Sequence, residues 1–271
     1  ILATGGGGLL GVNTYTGTGL SQSVDTGQPL SNGAFVWAKA TNTSADHLAS
    51  DTARGGNKLL NQNGNAAETT NSQFITSFNN NGITVGTAAD YNTLGRDYVL
   101  FSWLKQAGYL DIVTYTGNGA TQTISHNLAA TPAMMIIKCR TITKDWAVYH
   151  KDAGNNVEAA LNTSSAFATS GSFDNTTPDA SDFFVGPSFT TNQSSQDYVA
   201  YLFGEKGGKS KIDQYSGNGT SSKSVTGVGF EPKAILLKGD NNSNGWRFFY
   251  NDNGTAKYIV PDTSASVVTA T

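Results

Sequence analysis

The sequence predicts an all-β chain: tandem antiparallel β-sandwich repeats of about 100 residues, the third incomplete. Three observations carry that prediction. The chain repeats itself, since YTGTG at Tyr15 returns as YTGNG at Tyr115 and YSGNG at Tyr215. Other marks keep the phase: Asp97-Tyr98-Val99 with Asp197-Tyr198-Val199, Gly86 with Gly186, and Trp146 with Trp246. Second, the apolar runs are short, rich in β-branched and aromatic residues, and parted by Gly, Asn, Asp, Ser and Thr, which is strand-and-turn patterning. Third, no stretch holds apolar residues at spacings of three and four for long enough to build a long helix.

The second unit shows the elements best. Strands are predicted at Ile112–Tyr115, Thr121–His126, Ala133–Cys139, Trp146–His150, Val157–Leu161, Phe183–Val185 and Asp197–Phe203. In the last of these Val199, Tyr201 and Phe203 share one face and Tyr198, Ala200 and Leu202 the other, so the strand is expected to be central or covered. Gly17, Gly117 and Gly217, with the glycines two residues on, follow a strand where a turn with positive φ is expected. Lys39, Lys138 and Lys238 close apolar runs and are expected to solubilise strand ends. The recurring Tyr15, Tyr115 and Tyr215 are expected to put the ring in the core and the hydroxyl at its edge.

The repeat phase divides the chain into residues 1–11, the end of a preceding repeat with a Gly-rich linker at Gly5–Gly8, repeats at 12–110 and 111–210, and a partial repeat at 211–271. Counting back from each Tyr sets Ile1 level with Phe101 and Tyr201, so the chain is expected to open within a strand and to be a segment of a longer repeat-bearing protein. Tandem sandwiches are expected to form a quasi-linear rod of separately cored units.

Composition excludes several functions. Only 14% of the 271 residues are charged and the net charge is -3, a poor match to a phosphate backbone, so nucleic acid is not an expected partner. No apolar run reaches the roughly 18–20 residues of a membrane-spanning helix, so membrane insertion is not expected. Cys139 is the only cysteine, which leaves no intrachain disulfide and no cysteine-based zinc cluster.

Catalytic chemistry finds no motif, and no cofactor is expected. His47, His126 and His150 lack a second ligand at a metal-motif spacing, and His47 stands where the other units have Trp146 and Trp246. His126 is expected to bond a neighbouring backbone group. The acid pairs Asp179/Asp182 and Asp145/Asp152 have no counterparts in every unit and read as loop acids rather than a glycosidase pair. Asp240, Asn242, Asn244 and Gly245 follow the first half of a calcium loop, but the twelfth position is Asn251 and the loop reads as a polar hairpin tip. Trp146 and Trp246, which follow variable polar loops, are expected first as core residues. Together with Asn244 they are the candidate contacts for a glycan or a protein partner.

The order YTGNGATQTISHNLAATPAMMIIK, DWAVYH, ALNTSS, FFVG, DYVAYLF, spanning about Ile112 to Phe203, resembles repeat modules of tailed-bacteriophage virion proteins, notably marine and cyanophage tail-fibre-like chains. The phrase HNLG of that family reads HNLA at His126–Ala129, and the third unit lacks it. The resemblance implies a non-enzymatic virion structural protein at the particle surface, with repeats acting as spacer and attachment surface. Its implied partners are other virion subunits, a homo-oligomer (a trimer by family analogy) and a host cell-surface glycan. The alternative class is a secreted carbohydrate-binding module or adhesin.

Overall fold

The computed structural model describes residues 1–4 and 8–270; Gly5–Gly7 of the expected linker, and Thr271, lie outside the described residues. Strands dominate, and the helical segments among the described residues are one turn each, Leu30–Asn32 and Ala89–Asn92. No described helix is long and apolar enough to cross a membrane.

Three six-stranded antiparallel sheets repeat one order. The first runs Leu10–Thr16, Asp97–Leu104, Ala34–Ala40, His47–Asp51, Lys58–Asn61, Thr69–Thr70. The second runs Leu110–Thr116, Asp197–Phe203, Met134–Cys139, Ala147–His150, Val157–Ala160, Ala168–Thr169. All seven strands expected in the second unit are present; the two-residue strand Ala168–Thr169, too short to show a period, escapes sequence reading. The third sheet runs Ser210–Ile212, Leu2–Thr4, Ala234–Leu237, Arg247–Asp252, Thr255–Ile259, Val268–Thr269. The opening residues thus take the place held by Asp97–Leu104 and Asp197–Phe203, pairing with Ser210–Ile212 on one edge and Ala234–Leu237 on the other.

That placement is one residue out of the count from the tyrosines. Tyr201 faces Ile136 and Phe101 faces Trp37, whereas in the third sheet it is Leu2, not Ile1, that faces Leu236 in the corresponding place. Because side chains alternate, Leu2 points inward and Ala3 outward, and Leu2 is 4% exposed.

Smaller sheets cover the outer faces of the first two units. Gln22–Asp25, Gly82–Val85 and Ile75–Asn79 form one, and Gln122–Ser125 with Asp182–Val185 the other. Each encloses its own core: Val24, Leu48, Ile83, Tyr91 and Leu100 in the first unit, Ile124, Met135, Phe183, Tyr198 and Leu202 in the second. In the third unit residues 213–233 contain no strand, and the outward Ile235, Leu237 and Phe249 are half-buried.

The inner faces correct the expectation of separately cored units in a row. One continuous core joins Trp37, Phe101 and Trp103 of the first unit, Trp146, Tyr201 and Phe203 of the second, and Trp246, Phe248 and Tyr250 of the third. Aromatic rings meet across the units: Trp37 stacks on Phe248 at 5.2 Å between centroids, Phe101 meets Phe248 edge-on at 4.7 Å, and Phe35 lies 4.2 Å from Tyr201. The physical reason lies in strands with two apolar faces. Val199, Tyr201 and Phe203 enter the shared core while Tyr198, Ala200 and Leu202 enter the second unit's own, so each central sheet needs cover on both sides. A row of sandwiches would leave the inner faces wet.

Backbone bonds between units run around a closed circuit. The Glu68 amide donates to the Arg140 carbonyl and the Lys144 amide to that of Asn65, joining the first unit to the second. The Phe167 amide donates to the Asp240 carbonyl, joining second to third, and the Ala45 amide to that of Ser264, joining third to first. Each unit touches both others, which is a ring with approximate threefold order.

The repeated glycines split into two jobs. Gly19, Gly119 and Gly219 hold φ of +71°, +78° and +71°, the turn conformation expected for both glycine sets. Gly17 and Gly117 instead allow close backbone approach: a Cβ would lie 2.1 Å from the Thr93 carbonyl oxygen and 2.4 Å from that of Gln193. At Gly217 a Cβ would meet open space.

Candidate binding cleft

The residues with chemical potential are largely engaged in holding units together. Trp146 is fully buried, and its Nε1–H donates across the junction to the carbonyls of Asn61 (3.0 Å) and Gly64 (3.1 Å). Trp246, 3% exposed, donates to the Ala160 carbonyl at 2.9 Å. Neither indole keeps a free face for a sugar, so their candidacy as stacking contacts is corrected: each ring is buried at a junction with its N–H bonded to the neighbouring unit. His47 takes the equivalent place in the first unit, fully buried, its Nδ1 accepting the Trp37 Nε1–H at 3.1 Å. Burial, aided by the Lys39 charge, lowers its pKa to about 3, so it stays neutral.

Two of the three lysines depart furthest from expectation. Lys39 and Lys138 are fully buried instead of solubilising strand ends. Each ammonium donates to the carbonyl of the next residue, Ala40 at 3.0 Å and Cys139 at 2.8 Å. Each also reaches the adjoining unit, Lys39 to Ser264 at 3.5 Å and Lys138 to Asn65 at 3.2 Å. Desolvation lowers both pKa values to about 8. An apolar run ending in Lys reads as an edge because one of the two carbonyls that receive each ammonium lies in another unit.

A buried charge network clamps the first unit to the second. The Arg54 Nε lies 2.5 Å from the Asp51 carboxylate and its Nη1 3.0 Å from Glu68, while its Nη2 donates to the Tyr201 hydroxyl at 3.1 Å. Tyr201 donates to Asp51 at 2.8 Å, and Arg140 clasps Glu68 through two bonds of 3.0 Å. Burial works to raise the Glu68 carboxyl, but the Arg140 hydrogen bonds and the Arg54 charge prevail and hold it below its usual range. The scarcity of charge in this chain was the available signal; pairing between units hid the partners.

Asn92 and Asn192, also exactly one repeat apart and fully buried, organise the glycine turns. The Asn92 amide donates to the carbonyls of Leu20 and Gly86, both at 2.6 Å, and its oxygen accepts from the Thr18 amide at 2.8 Å. Tyr15 and Tyr115 meet expectation, stacking on Tyr98 (4.9 Å) and Tyr198 (5.1 Å) while donating to the carbonyls of Tyr91 and Thr191. Tyr215 is 44% exposed, with no described ring stacked on it.

The remaining candidates form local structure. His126 Nδ1 accepts the Leu128 amide at 3.2 Å and its Nε2 faces the Asp179 carbonyl at 3.3 Å, as expected of a backbone-bonded imidazole. Asp179 caps the amides of Ser181 and Asp182, and Asp145 holds the Asn162 amide. In the calcium-like loop the Asn242 side-chain oxygen accepts the Asn244 amide at 3.0 Å and the Asn242 carbonyl accepts Lys238 Nζ at 3.0 Å. A cationic side chain therefore already sits on that loop. Among the described residues no three His, Cys, Asp or Glu converge as a metal site.

The junction of second and third units opens into a cleft of about 850 Å³. Phe167 and His150 line it from the second unit, and Asp240, Asn242, Asn244, Trp246 and Arg247 from the third, with Tyr215 completing the wall. Burial lowers the His150 pKa to about 4, leaving it neutral near pH 7. The Arg247 guanidinium donates to the Trp246 carbonyl at 3.0 Å and lies 5.7 Å from the Tyr258 ring. The Lys238 bond to Asn242 replaces the cross-junction bond its two counterparts make. Of the candidate contacts, Asn244 lines this cleft exposed, Trp246 lines it almost wholly buried, and Trp146 lies elsewhere.

Neither the curated proteins nor the solved structures contain a match to this chain. The family described as domain of unknown function DUF7483 matches residues 9–269, a span that takes in the first two sheets and all of the third except Leu2–Thr4, and the chain belongs to that family.

Proposed function

We propose that this chain is a non-enzymatic structural module of a tailed-bacteriophage virion surface, fibre-like or otherwise exposed, contacting other virion subunits and the host through its loops. The observation that carries the reading is the use made of its functional groups. Trp146, Trp246, Lys39, Lys138 and the Asp51–Arg54–Glu68–Arg140 network all bond across unit junctions, which is how a scaffold uses polar side chains. The second unit's resemblance to phage repeat modules supplies the location, and the exposed polar loops supply the contact surface. The spacer role passes from a row of repeats to a single three-unit block.

The test is immunogold electron microscopy of purified tailed-phage particles encoding this chain, using antibody raised against residues 1–271. Labelling at a fixed place on the particle is expected. Particles free of label, with the antigen recovered only as unassembled protein, would refute the reading.

A further inference from the structure

We infer that the edge strand Leu10–Thr16 of the first unit is a self-association surface, where a second copy of this chain adds its own Leu10–Thr16 antiparallel and continues the sheet from one molecule to the next. The inference goes beyond the virion reading and does not rest on it.

The phase of the hydrogen bonds comes first. Leu10–Thr16 stands at the end of the first sheet and, among the described residues, pairs only with Asp97–Leu104. The Gly17 amide donates to the Arg96 carbonyl at 2.8 Å and the Leu104 amide to that of Leu9 at 2.9 Å, so the odd-numbered residues bond to the neighbouring strand. In an antiparallel ladder the residues between them turn their backbone groups the other way. The N–H and C=O of Val12 and Thr14 therefore point off the edge, without a partner among the described residues, and Thr14 is exposed. The Thr16 carbonyl already accepts the Gln22 side-chain amide at 3.0 Å, which closes that end of the strand. The open edge is a property of the unit. Thr114, one repeat on and with a whole unit before it in the chain, also stands on an edge strand and is exposed.

A second copy suits this edge because its pattern is self-complementary. Antiparallel pairing about a twofold axis at Asn13 sets Val12 of each copy against Thr14 of the other, making four backbone bonds and leaving the Gln22 contact intact. The strand LGVNTYT holds no charge, proline or bulge, the devices that keep edges from pairing. The second unit's edge does hold one: Asp111 stands in the place of Gly11, and its carboxylate accepts the Ile112 amide at 2.9 Å, occupying an outward donor.

Exposed apolar surface singles out the same unit. Leu20 and Leu94 are 71% and 77% exposed, on two turns bonded to each other beyond Thr16 through the Gly19 amide to the Asn92 carbonyl and the Gly95 amide to that of Gly17. One repeat on, these positions hold Ala120 and Ser194. Antiparallel pairing carries each pair of leucines toward the Leu10 end of the other copy's strand, where both copies cover apolar surface at once.

Sedimentation velocity of the 271-residue protein from about 1 to 300 μM tests the inference, with amide hydrogen exchange followed by NMR at both ends of that range. A monomer–dimer equilibrium is expected, with the Val12 and Thr14 amides protected in the dimer. Thr14→Lys puts a charge on the edge and Thr14→Pro removes an outward N–H where an edge tolerates proline; each is expected to weaken association about tenfold or more. Leu20→Ala combined with Leu94→Ser is expected to weaken it as well, and Thr114→Lys, on the guarded edge, to leave it unchanged. Thermal melting confirms that each variant is folded, and if the proline variant melts early the lysine variant decides. A protein that stays monomeric throughout overturns the inference and leaves the edge to a strand of some other protein. A dimer that Thr14→Lys leaves intact, or one in which the Val12 and Thr14 amides exchange no more slowly, overturns it too. Immunogold labelling decides the virion reading separately.

Discussion

Raising the pH from 7.5 to 9.5 should stabilise this protein, the opposite of what its acidic composition suggests. Lys39 and Lys138 are protonated in the unfolded chain up to about pH 10.4 but give up their protons in the folded state near pH 8. Below pH 8 both states hold the proton and folding carries the full cost of a buried ammonium. Between the two pKa values the unfolded chain binds more protons, so stability rises with pH. Over the 1.5 units from pH 8 to 9.5, at about 1.4 kcal/mol per unit, each lysine contributes about 2 kcal/mol and the pair about 4 kcal/mol. Above about pH 10 the trend reverses. Tyr15, Tyr115 and Tyr201, buried with their pKa values raised by desolvation, remain protonated in the fold while their unfolded counterparts ionise. Urea denaturation at half-unit steps from pH 7 to 10.5 measures the curve, and Lys138→Met should remove about half the rise. A flat profile between pH 8 and 9.5, or one that Lys138→Met leaves unchanged, would refute the assignment of these lysines as buried, cross-junction donors.

Three further outcomes follow from particular contacts. Arg54→Met should cost about 3–5 kcal/mol in urea denaturation, because it strands the buried Asp51 carboxylate while Glu68 keeps Arg140, and adding Asp51→Leu should recover much of the loss. Gly117→Ala should destabilise by at least about 2 kcal/mol through its clash with the Gln193 carbonyl, whereas Gly217→Ala, facing open space, should stay within about 0.5 kcal/mol of wild type; thermal melting compares the two. Trp146→Phe should cost about 1–3 kcal/mol, since two carbonyls of the first unit lose their donor, with the effect visible as earlier melting in calorimetry.

The all-β class and the strands of the second unit were legible because they rest on local signals, alternation along a strand and turn residues between strands. The strand Asp197–Phe203 even announced its double cover, and the structure divides its two faces between two cores. Relative placement was not legible. A period of 100 residues sets Tyr15, Tyr115 and Tyr215 at equivalent places, at or just past the end of each unit's first strand, but a row and a ring give the same period. The difference lies in contacts such as Trp37 on Phe248, whose partners are more than 200 residues apart. Buried lysines failed for the same reason, since Lys39 finds Ser264 and Lys138 finds Asn65 only once the ring is closed. Of the candidate site, Asn244 and the polar loop around it were visible in the sequence. Tyr215 was read with its two stacked counterparts, and only its exposure in the fold separates it from them.

The lysine bond crosses two junctions and not the third because of a single loop. From Lys39 to His47, Lys138 to Trp146 and Lys238 to Trp246 the spacing is eight residues, so no insertion forces the third loop away from its neighbour. Backbone length being equal, the residues between must decide. Four positions after the lysine stand Thr43, Ile142 and Asn242. Ile142 packs against the second unit's own core, which holds that loop down and leaves the Lys138 ammonium aimed across the junction. Thr43 is likewise polar and Lys39 still reaches Ser264, so what sets Asn242 apart is its own turn. Its side-chain oxygen takes the Asn244 amide, a turn that short polar side chains favour, and its carbonyl takes the Lys238 ammonium. With that ammonium satisfied within the loop, Lys238 makes no bond to Ser164, the counterpart of Asn65, although the Asp240 carbonyl still accepts the Phe167 amide across the same junction. The same amides that imitate half of a calcium loop in the sequence thus account for the lysine bond missing from this junction in the fold.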